Sequence, residues 1–228
     1  MPYPGLAAAL DEVRATVAQR QAAGGWSHPV TIVAVTKTHG PDAVRAAYDA
    51  GLRAMGENRV QELLPKMEAI AGLGVDWHLV GTLQRNKARQ VAGRVALIHS
   101  VDRLDLAAEL DRRTAEGARQ AVLVQVNCSG EPQKGGAEPA ELPALLDALR
   151  ALPRLAVRGL MTMAALDAAE PELRRTFAEL RGLRDAARRD GHDLSELSMG
   201  MSGDYALAVE EGATMIRLGT VLFGERGR

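Results

Sequence analysis

The feature that most constrains this chain is a repeated rhythm of short apolar runs, with a helical stretch after each of the first seven. The runs are Thr31–Thr36 (TIVAVT), Leu52–Met55 (LRAM), Trp77–Val80 (WHLV), Val95–His99 (VALIH), Ala121–Val126 (AVLVQV), Leu155–Leu160 (LAVRGL), Leu194–Ser198 (LSELS) and Thr214–Leu218 (TMIRL). Short branched runs of this kind predict strands. Between them lie Pro41–Ala50, Arg59–Ile70, Leu83–Ala92, Arg103–Glu116, Glu138–Leu149, Pro171–Asp190 and Asp204–Glu211, all rich in helix formers. Pro41, Asp102 and Pro139 mark helix starts, and Gly51, Gly117, Gly191 and Gly212 follow helix ends. A helix between two strands is a crossover, so the strands are expected to pair in parallel. Eight such units in a chain of 228 residues predict a single (β/α)8 TIM barrel. A doubly wound open sheet is the competitor, but it usually uses fewer strands. An extra N-terminal helix precedes the rhythm: Leu6, Leu10, Val13 and Val17 space one amphipathic face over Leu6 to Gln21, ended by Gly24 and Gly25. No change in composition marks a linker, so residues 1–228 read as one domain.

Composition narrows the function classes. The formal net charge is −1, so no basic excess points to a nucleic-acid partner or an anionic membrane surface. Cys128 is the one cysteine, which leaves no intrachain disulfide and suits a reducing cytoplasm. Asp11, Glu12 and Arg14 interrupt the apolar start before a signal-peptide core forms. No run reaches the roughly 18 apolar residues of a membrane span. Histidine and carboxylate spacings suggest no metal site, and the nucleophile elbow, P-loop and strand-linked dinucleotide fingerprint are all missing. Only Lys37, Lys66, Lys87 and Lys134 are lysines among 28 basic residues. Arginine cannot act as a neutral nucleophile, so a lysine kept in an apolar setting invites an explanation from amine chemistry.

Active sites of such barrels lie at the C-terminal ends of the strands, and phosphate sites often follow strands 7 and 8. Lys37 stands after the first strand. If it points inward, so do Val33 and Val35, and desolvation would favour the neutral amine that attacks aldehydes. A surface lysine just beyond a strand is the equal alternative. Polar, small groups follow the other strands: Gly56-Glu57-Asn58, Gly81-Thr82, His99-Ser100, Asn127-Cys128-Ser129 and Met161-Thr162-Met163. The seventh strand ends in Ser198-Met199-Gly200-Met201-Ser202-Gly203-Asp204, and the eighth in Arg217-Leu218-Gly219-Thr220. Two Gly/Ser/Thr loops there favour a phosphate cup built from backbone N–H groups. Helix capping by Ser202 or Asp204 is the plainer alternative. His78 and His99 read as satisfied packing or rim residues, and the methionines at the mouth as gap fillers.

These strand ends carry a resemblance. The segments VAVTKTH around Lys37, GENRVQE (56–62), WHLVGTLQRNK (77–87), HSVDR (99–103), VNCSGEPQKGG (126–136), GLMTM (159–163), LSMGMSGDYALAVEEGATMIRLGT (197–220) and FGER (223–226) resemble the pyridoxal phosphate homeostasis proteins. That family has the barrel of the alanine racemase N-terminal domain without the racemase's second domain. The resemblance implies pyridoxal 5′-phosphate as cofactor, with Lys37 as the Schiff-base lysine. It also implies Ser202, Gly219 and Thr220 as the phosphate cup, Arg217 as partner of the pyridine nitrogen, and Asn58 and Met199 as flanking pocket residues. The sequence departs from the family pattern at Thr82, Arg85 and Gly203, and the loop of Lys134 varies.

The implied function is holding and delivering the cofactor inside the cell, with effects on amino-acid and keto-acid homeostasis, rather than major turnover. An arginine donates only, so a ring nitrogen bonded to Arg217 stays unprotonated and the electron sink is weak. Racemases resembling this barrel also use a tyrosine base from their second domain. Tyr3, Tyr48 and Tyr205 are the tyrosines here, and none stands at an expected strand end. A low-activity amino-acid racemase and a barrel enzyme of phosphorylated metabolites are the alternatives. Lys134 is a candidate for transient transfer of the aldehyde, against the simpler reading of a solvated side chain. Apo-enzymes that need the cofactor are candidate partners, and a monomer is expected.

Overall fold

The computed structural model describes residues 3–224, and its strands close into one parallel barrel in the order β1-β2-β3-β4-β5-β6-β7-β8. The strands are β1 (Thr31–Val35), β2 (Ala54–Glu57), β3 (Asp76–Leu79), β4 (Leu97–Val101), β5 (Gln120–Gln125), β6 (Leu155–Met161), β7 (Glu196–Ser198) and β8 (Met215–Leu218). The helices are α1 (Leu6–Gly24), α2 (Pro41–Asp49), α3 (Val60–Ala69), α4 (Ala88–Val91), α5 (Leu104–Arg113), α6 (Leu142–Leu149), α7 (Glu170–Arg189), α8 (Tyr205–Glu210) and α9 (Thr220–Phe223). Closure comes from β1, which pairs with β2 on one side and with β8 on the other, with Val33 opposite Arg217. The predicted (β/α)8 barrel with an extra N-terminal helix is the observed architecture.

The period of two sorts each strand into an outward and an inward set. Ala34, Met55, Leu79, Ile98, Val122, Leu160, Ile216 and Leu218 face outward and join the large core beneath the helices. Val33, Val35, Ala54 and Val80 form one inner cluster, and Leu97, Leu123 and Met161 another. Inward positions also carry polar groups: His78, His99 and Arg217 are 6%, 0% and 5% exposed. The expectation of His78 and His99 as satisfied packing residues holds, since both are buried inside the barrel and hydrogen-bonded there.

Several elements differ from their expected extents. The run Leu52–Met55 predicts a strand, yet β2 starts at Ala54 and takes in Gly56 and Glu57. Leu52 instead packs in the outer core. Gly56 faces inward, where an added Cβ would meet Val33 at 3.0 Å and Val35 at 3.2 Å. The fourth strand is shifted the same way, to Leu97–Val101 rather than Val95–His99. The helix expected over Leu83–Ala92 is a turn of 3-10 helix, Arg85–Lys87, followed by the single turn of α4.

Helix α1 lays Leu6, Leu10, Val13 and Val17 into the core at spacings of four, three and four, and packs against α8 and α9. Gly25 ends it in the left-handed region at φ 74, where glycine carries no Cβ penalty. The next residue, Trp26, donates from its indole to the Glu210 carbonyl at 2.8 Å, which ties α1 to α8.

One close approach fixes the β6–β7 seam. A Cβ added at Gly159 would lie 2.0 Å from the Glu196 carbonyl oxygen and 2.6 Å from its carbon. Backbone cannot rotate away as a side chain does. Gly159→Ala is therefore expected to cost about 2 kcal/mol, read as a lower urea midpoint. An unchanged midpoint would show that the seam opens without cost.

Candidate functional site

A cavity of about 550 Å³ opens at the C-terminal ends of the strands. Its lining includes Lys37, Asn58, Thr82, Gln125, Ser202, Asp204, Arg217, Gly219 and Thr220, with Val35, Val80, Met163 and Leu173 as apolar wall. Of the seven residues singled out from the sequence, six meet here. Met199 does not. It is 0% exposed and packed in the outer core, because it follows the inward Ser198 and so points the other way.

Lys37 sits half-buried on the turn after β1. Both of its neighbours are held. The Thr36 hydroxyl donates to Glu57 Oε1 at 2.5 Å, and its carbonyl accepts from Lys66 Nζ at 2.7 Å. The Thr38 N–H donates to Glu62 Oε2 at 2.9 Å, and Thr38 itself adopts φ 68. A threonine in that region costs roughly 1 kcal/mol or more and persists only where its surroundings enforce it. The turn is thus fixed from both sides by groups on or beside α3.

Glu57 and Lys66 form an ion pair at 2.5 Å beneath this turn, with side chains 0% and 7% exposed. Burial raises the Glu57 pKa, against the opposing pull of Lys66 and Thr36. Its Oε2 is buried without a hydrogen-bond partner among the described residues. Removing Lys66 alone would strand a buried carboxylate, which is the costly way to break such a pair. Lys66 is not singled out by its sequence context, because nothing in a helical stretch shows which side chain will reach a neighbouring strand end.

The loops after β7 and β8 meet at Ser202. Its Oγ accepts from the N–H groups of Gly219 and Val221, both at 3.3 Å. Two backbone donors therefore converge on one oxygen at the cavity edge, which is the arrangement an anion takes. Gly200 permits this path. It lies at φ 94, and a Cβ there would meet Ala208 Cβ at 2.6 Å. The Asp204 carboxylate accepts from the Met201 N–H and so closes the turn before α8, but neither it nor Ser202 caps the helix, so the capping alternative does not hold. Burial raises its pKa against the lowering pull of that N–H and of Arg217 and Lys134.

Arg217 projects inward from β8 to the cavity floor. Nη1 donates to Ser198 Oγ at 2.7 Å, and Nη2 donates to the Thr162 carbonyl at 2.9 Å. Burial lowers its pKa to about 10. Lys134 stands apart from the lining residues. Its side chain is 20% exposed and 3.6 Å from Glu131, so the reading of a fully solvated lysine does not hold. Its carbonyl accepts from the cavity residue Gln125 at 2.8 Å. Gln125 was not anticipated, since it lies within an apolar run whose inward face shows only once the barrel closes.

Among the described residues no group of His, Cys, Asp and Glu could hold a metal ion. Cys128 is buried and its thiol is pushed up to about 12, mainly by desolvation, so it is a poor nucleophile. No helix among the described residues is long and apolar enough to cross a membrane.

Comparison with known proteins gives a consistent picture. The family model of the alanine racemase N-terminal domain matches residues 9–227. The pyridoxal phosphate homeostasis protein of Aquifex aeolicus is 44% identical over 206 residues, covering 90% of each chain. PipY of Synechococcus elongatus, solved without PLP, aligns with a TM-score of 0.86 at 41% identity, covering 96% of this chain and 100% of that one. The same protein solved with PLP bound gives 0.81 at 42% identity, covering 91% and 100%. An alanine racemase from Clostridium difficile shares the fold at TM-score 0.75 and 15% identity, with this chain matching 58% of its length.

Proposed function

This chain belongs to the pyridoxal phosphate homeostasis proteins within the family of the alanine racemase N-terminal domain, and from that premise we propose that it binds pyridoxal 5′-phosphate at the barrel mouth. Lys37 is the covalent anchor. The role is to hold and hand on a reactive aldehyde in the cytoplasm, in support of amino-acid and keto-acid balance, without major turnover.

The observation that carries this reading is convergence: Lys37, Arg217, Gly219 and Thr220 line one cavity although they lie at opposite ends of the chain. The residues fit the group. The N–H groups of Gly219 and Val221 already aim at one oxygen, so they suit a phosphate, with the hydroxyls of Ser202 and Thr220 beside them. Arg217 has donors only, so it holds a ring nitrogen as an acceptor and leaves it unprotonated. Val35, Val80 and Met163 supply apolar surface to the same space, and Asn58 its polar edge. Bound there, the cofactor would supply an aldehyde for reversible attachment and an electron-accepting ring.

What argues for a carrier over a racemase is the supply of second bases. The described residues lining the cavity offer the Lys37 amine and the carboxylates of Asp167 and Asp204, but no tyrosine. Asp204 is engaged with the Met201 N–H. The protein is proposed to act as one domain and as a monomer, with apo-enzymes as recipients.

Purified protein titrated with pyridoxal phosphate should turn yellow, and borohydride should fix one equivalent. Incubation with single L-amino acids, followed by chiral chromatography, should yield no rapid formation of the D-isomer. Rapid D-isomer formation would replace the carrier reading with the racemase. A colourless protein that takes up no cofactor would return the site to another phosphorylated ligand.

A further inference from the structure

A polar rung crosses the inside of the barrel and ends at the cavity. His78 Nδ1 on β3 lies 2.9 Å from His99 Nε2 on β4. His99 Nδ1 lies 2.9 Å from Ser198 Oγ at the end of β7. Ser198 Oγ in turn accepts from Arg217 Nη1 on β8 at 2.7 Å. His99 and Ser198 are both 0% exposed. Buried imidazoles and hydroxyls are expensive unless fully hydrogen-bonded, and the neighbouring inward positions are filled by Leu97, Leu123 and Met161 at no such cost. Packing alone does not call for this rung.

Its polarity follows from donor inventories. A guanidinium only donates, so Ser198 Oγ accepts from Arg217. Among the described residues the one other partner of that oxygen is His99 Nδ1, so the hydroxyl proton goes there. His99 Nδ1 is then unprotonated, Nε2 carries the hydrogen, and it donates to His78 Nδ1. Every dipole in the row points its negative end toward Arg217. No carboxylate among the described residues lies within ion-pair distance of this arginine; Asp204 acts on it only through space.

We propose that Ser198, His99 and His78 are positioning residues that stand in for a counter-anion behind Arg217. They keep its guanidinium charged, fixed and unneutralised toward the cavity. A carboxylate at Ser198 would cancel the charge. A neutral oriented row solvates it and leaves its full positive field for the ligand. This rests on the reading of the cavity as a pyridoxal phosphate site, and assigns the rung the task of holding the arginine against the ring nitrogen.

The test uses the full chain loaded with pyridoxal phosphate labelled with ¹⁵N in the ring, and reads the nitrogen resonance and the dissociation constant. In the unaltered protein the resonance should lie at the position of an unprotonated, hydrogen-bonded pyridine. Ser198→Ala and His99→Leu should each move it and weaken binding about tenfold, the loss of one hydrogen bond to a charged group. His99→Asn, which keeps an acceptor near the Nδ1 position, should restore most of both. Ser198→Ala removes a single atom and carries the test should His99→Leu not fold. Unchanged resonance and affinity in Ser198→Ala would overturn the proposal. Failure of the unaltered protein to bind the labelled cofactor would instead overturn the reading of the site, and this inference with it.

Discussion

Lys37→Ala is expected to abolish covalent retention of pyridoxal phosphate while the barrel stays folded. Borohydride treatment of the loaded variant, followed by peptide mass analysis, should find no modified residue, and the visible band of the attached cofactor should be gone. The effect is close to all-or-none because an amine is the one group that can form the bond, and alanine offers none. Weak, non-covalent binding should persist through Ser202, Gly219, Thr220 and Arg217, which the substitution leaves in place. The melting temperature should change little, since Lys37 sits half-buried on a turn outside the core clusters. Three other lysines make the result decisive: Lys66, Lys87 and Lys134 are the remaining side-chain amines. An adduct that survives Lys37→Ala and maps to one of them would end the assignment of Lys37.

Acid should destabilise this barrel earlier than carboxylate titration alone predicts. Burial lowers the His78 pKa from 6.5 to about 4. His99 is lowered as well, first by burial and then by the charges of His78 and Arg217. The sign follows from linkage. The folded state holds these imidazoles neutral, while the unfolded chain protonates them near pH 6.5. Between that pH and the folded values, the unfolded state binds more protons, so stability falls as pH falls. For His78 the loss by pH 4 is about 3 kcal/mol, at roughly 1.4 kcal/mol per pH unit. Urea midpoints measured from pH 7.5 down to pH 4.5 should drop by about 1 M. His78→Gln should flatten the upper part of that profile even if it lowers stability at pH 7.5. A wild-type midpoint that stays constant from pH 7 to pH 5 would show that these imidazoles are not held neutral.

How legible all this was depended on whether the signal was local. The strands and their order were legible, because period-two apolar runs separated by helix formers repeat along the chain. Lys37, Ser202, Gly219 and Thr220 were legible because the barrel rule says which ends to read. Met199 was misplaced because neighbouring residues in a strand face opposite ways, and the motif alone does not say which of Ser198 and Met199 turns inward. Gly56 and Glu57 looked like loop, yet both belong to β2: the glycine fits where the interior is narrow, and the carboxylate is buried against Lys66. The pairing of His99 with Ser198 spans 99 positions in the chain. No spacing rule reaches that far, so the rung emerges only from closure of the barrel.

Closure has a further consequence. The turn of Lys37 leaves β1, Arg217 lies on β8, and these two strands are hydrogen-bonded neighbours. During synthesis the nascent polypeptide would expose its reactive amine long before the opposing arginine and the Gly219 donors had left the ribosome. On the proposed reading of the site, capture of the vitamin would depend on docking of β8 against β1. A ligand held there would stabilise only the closed ring.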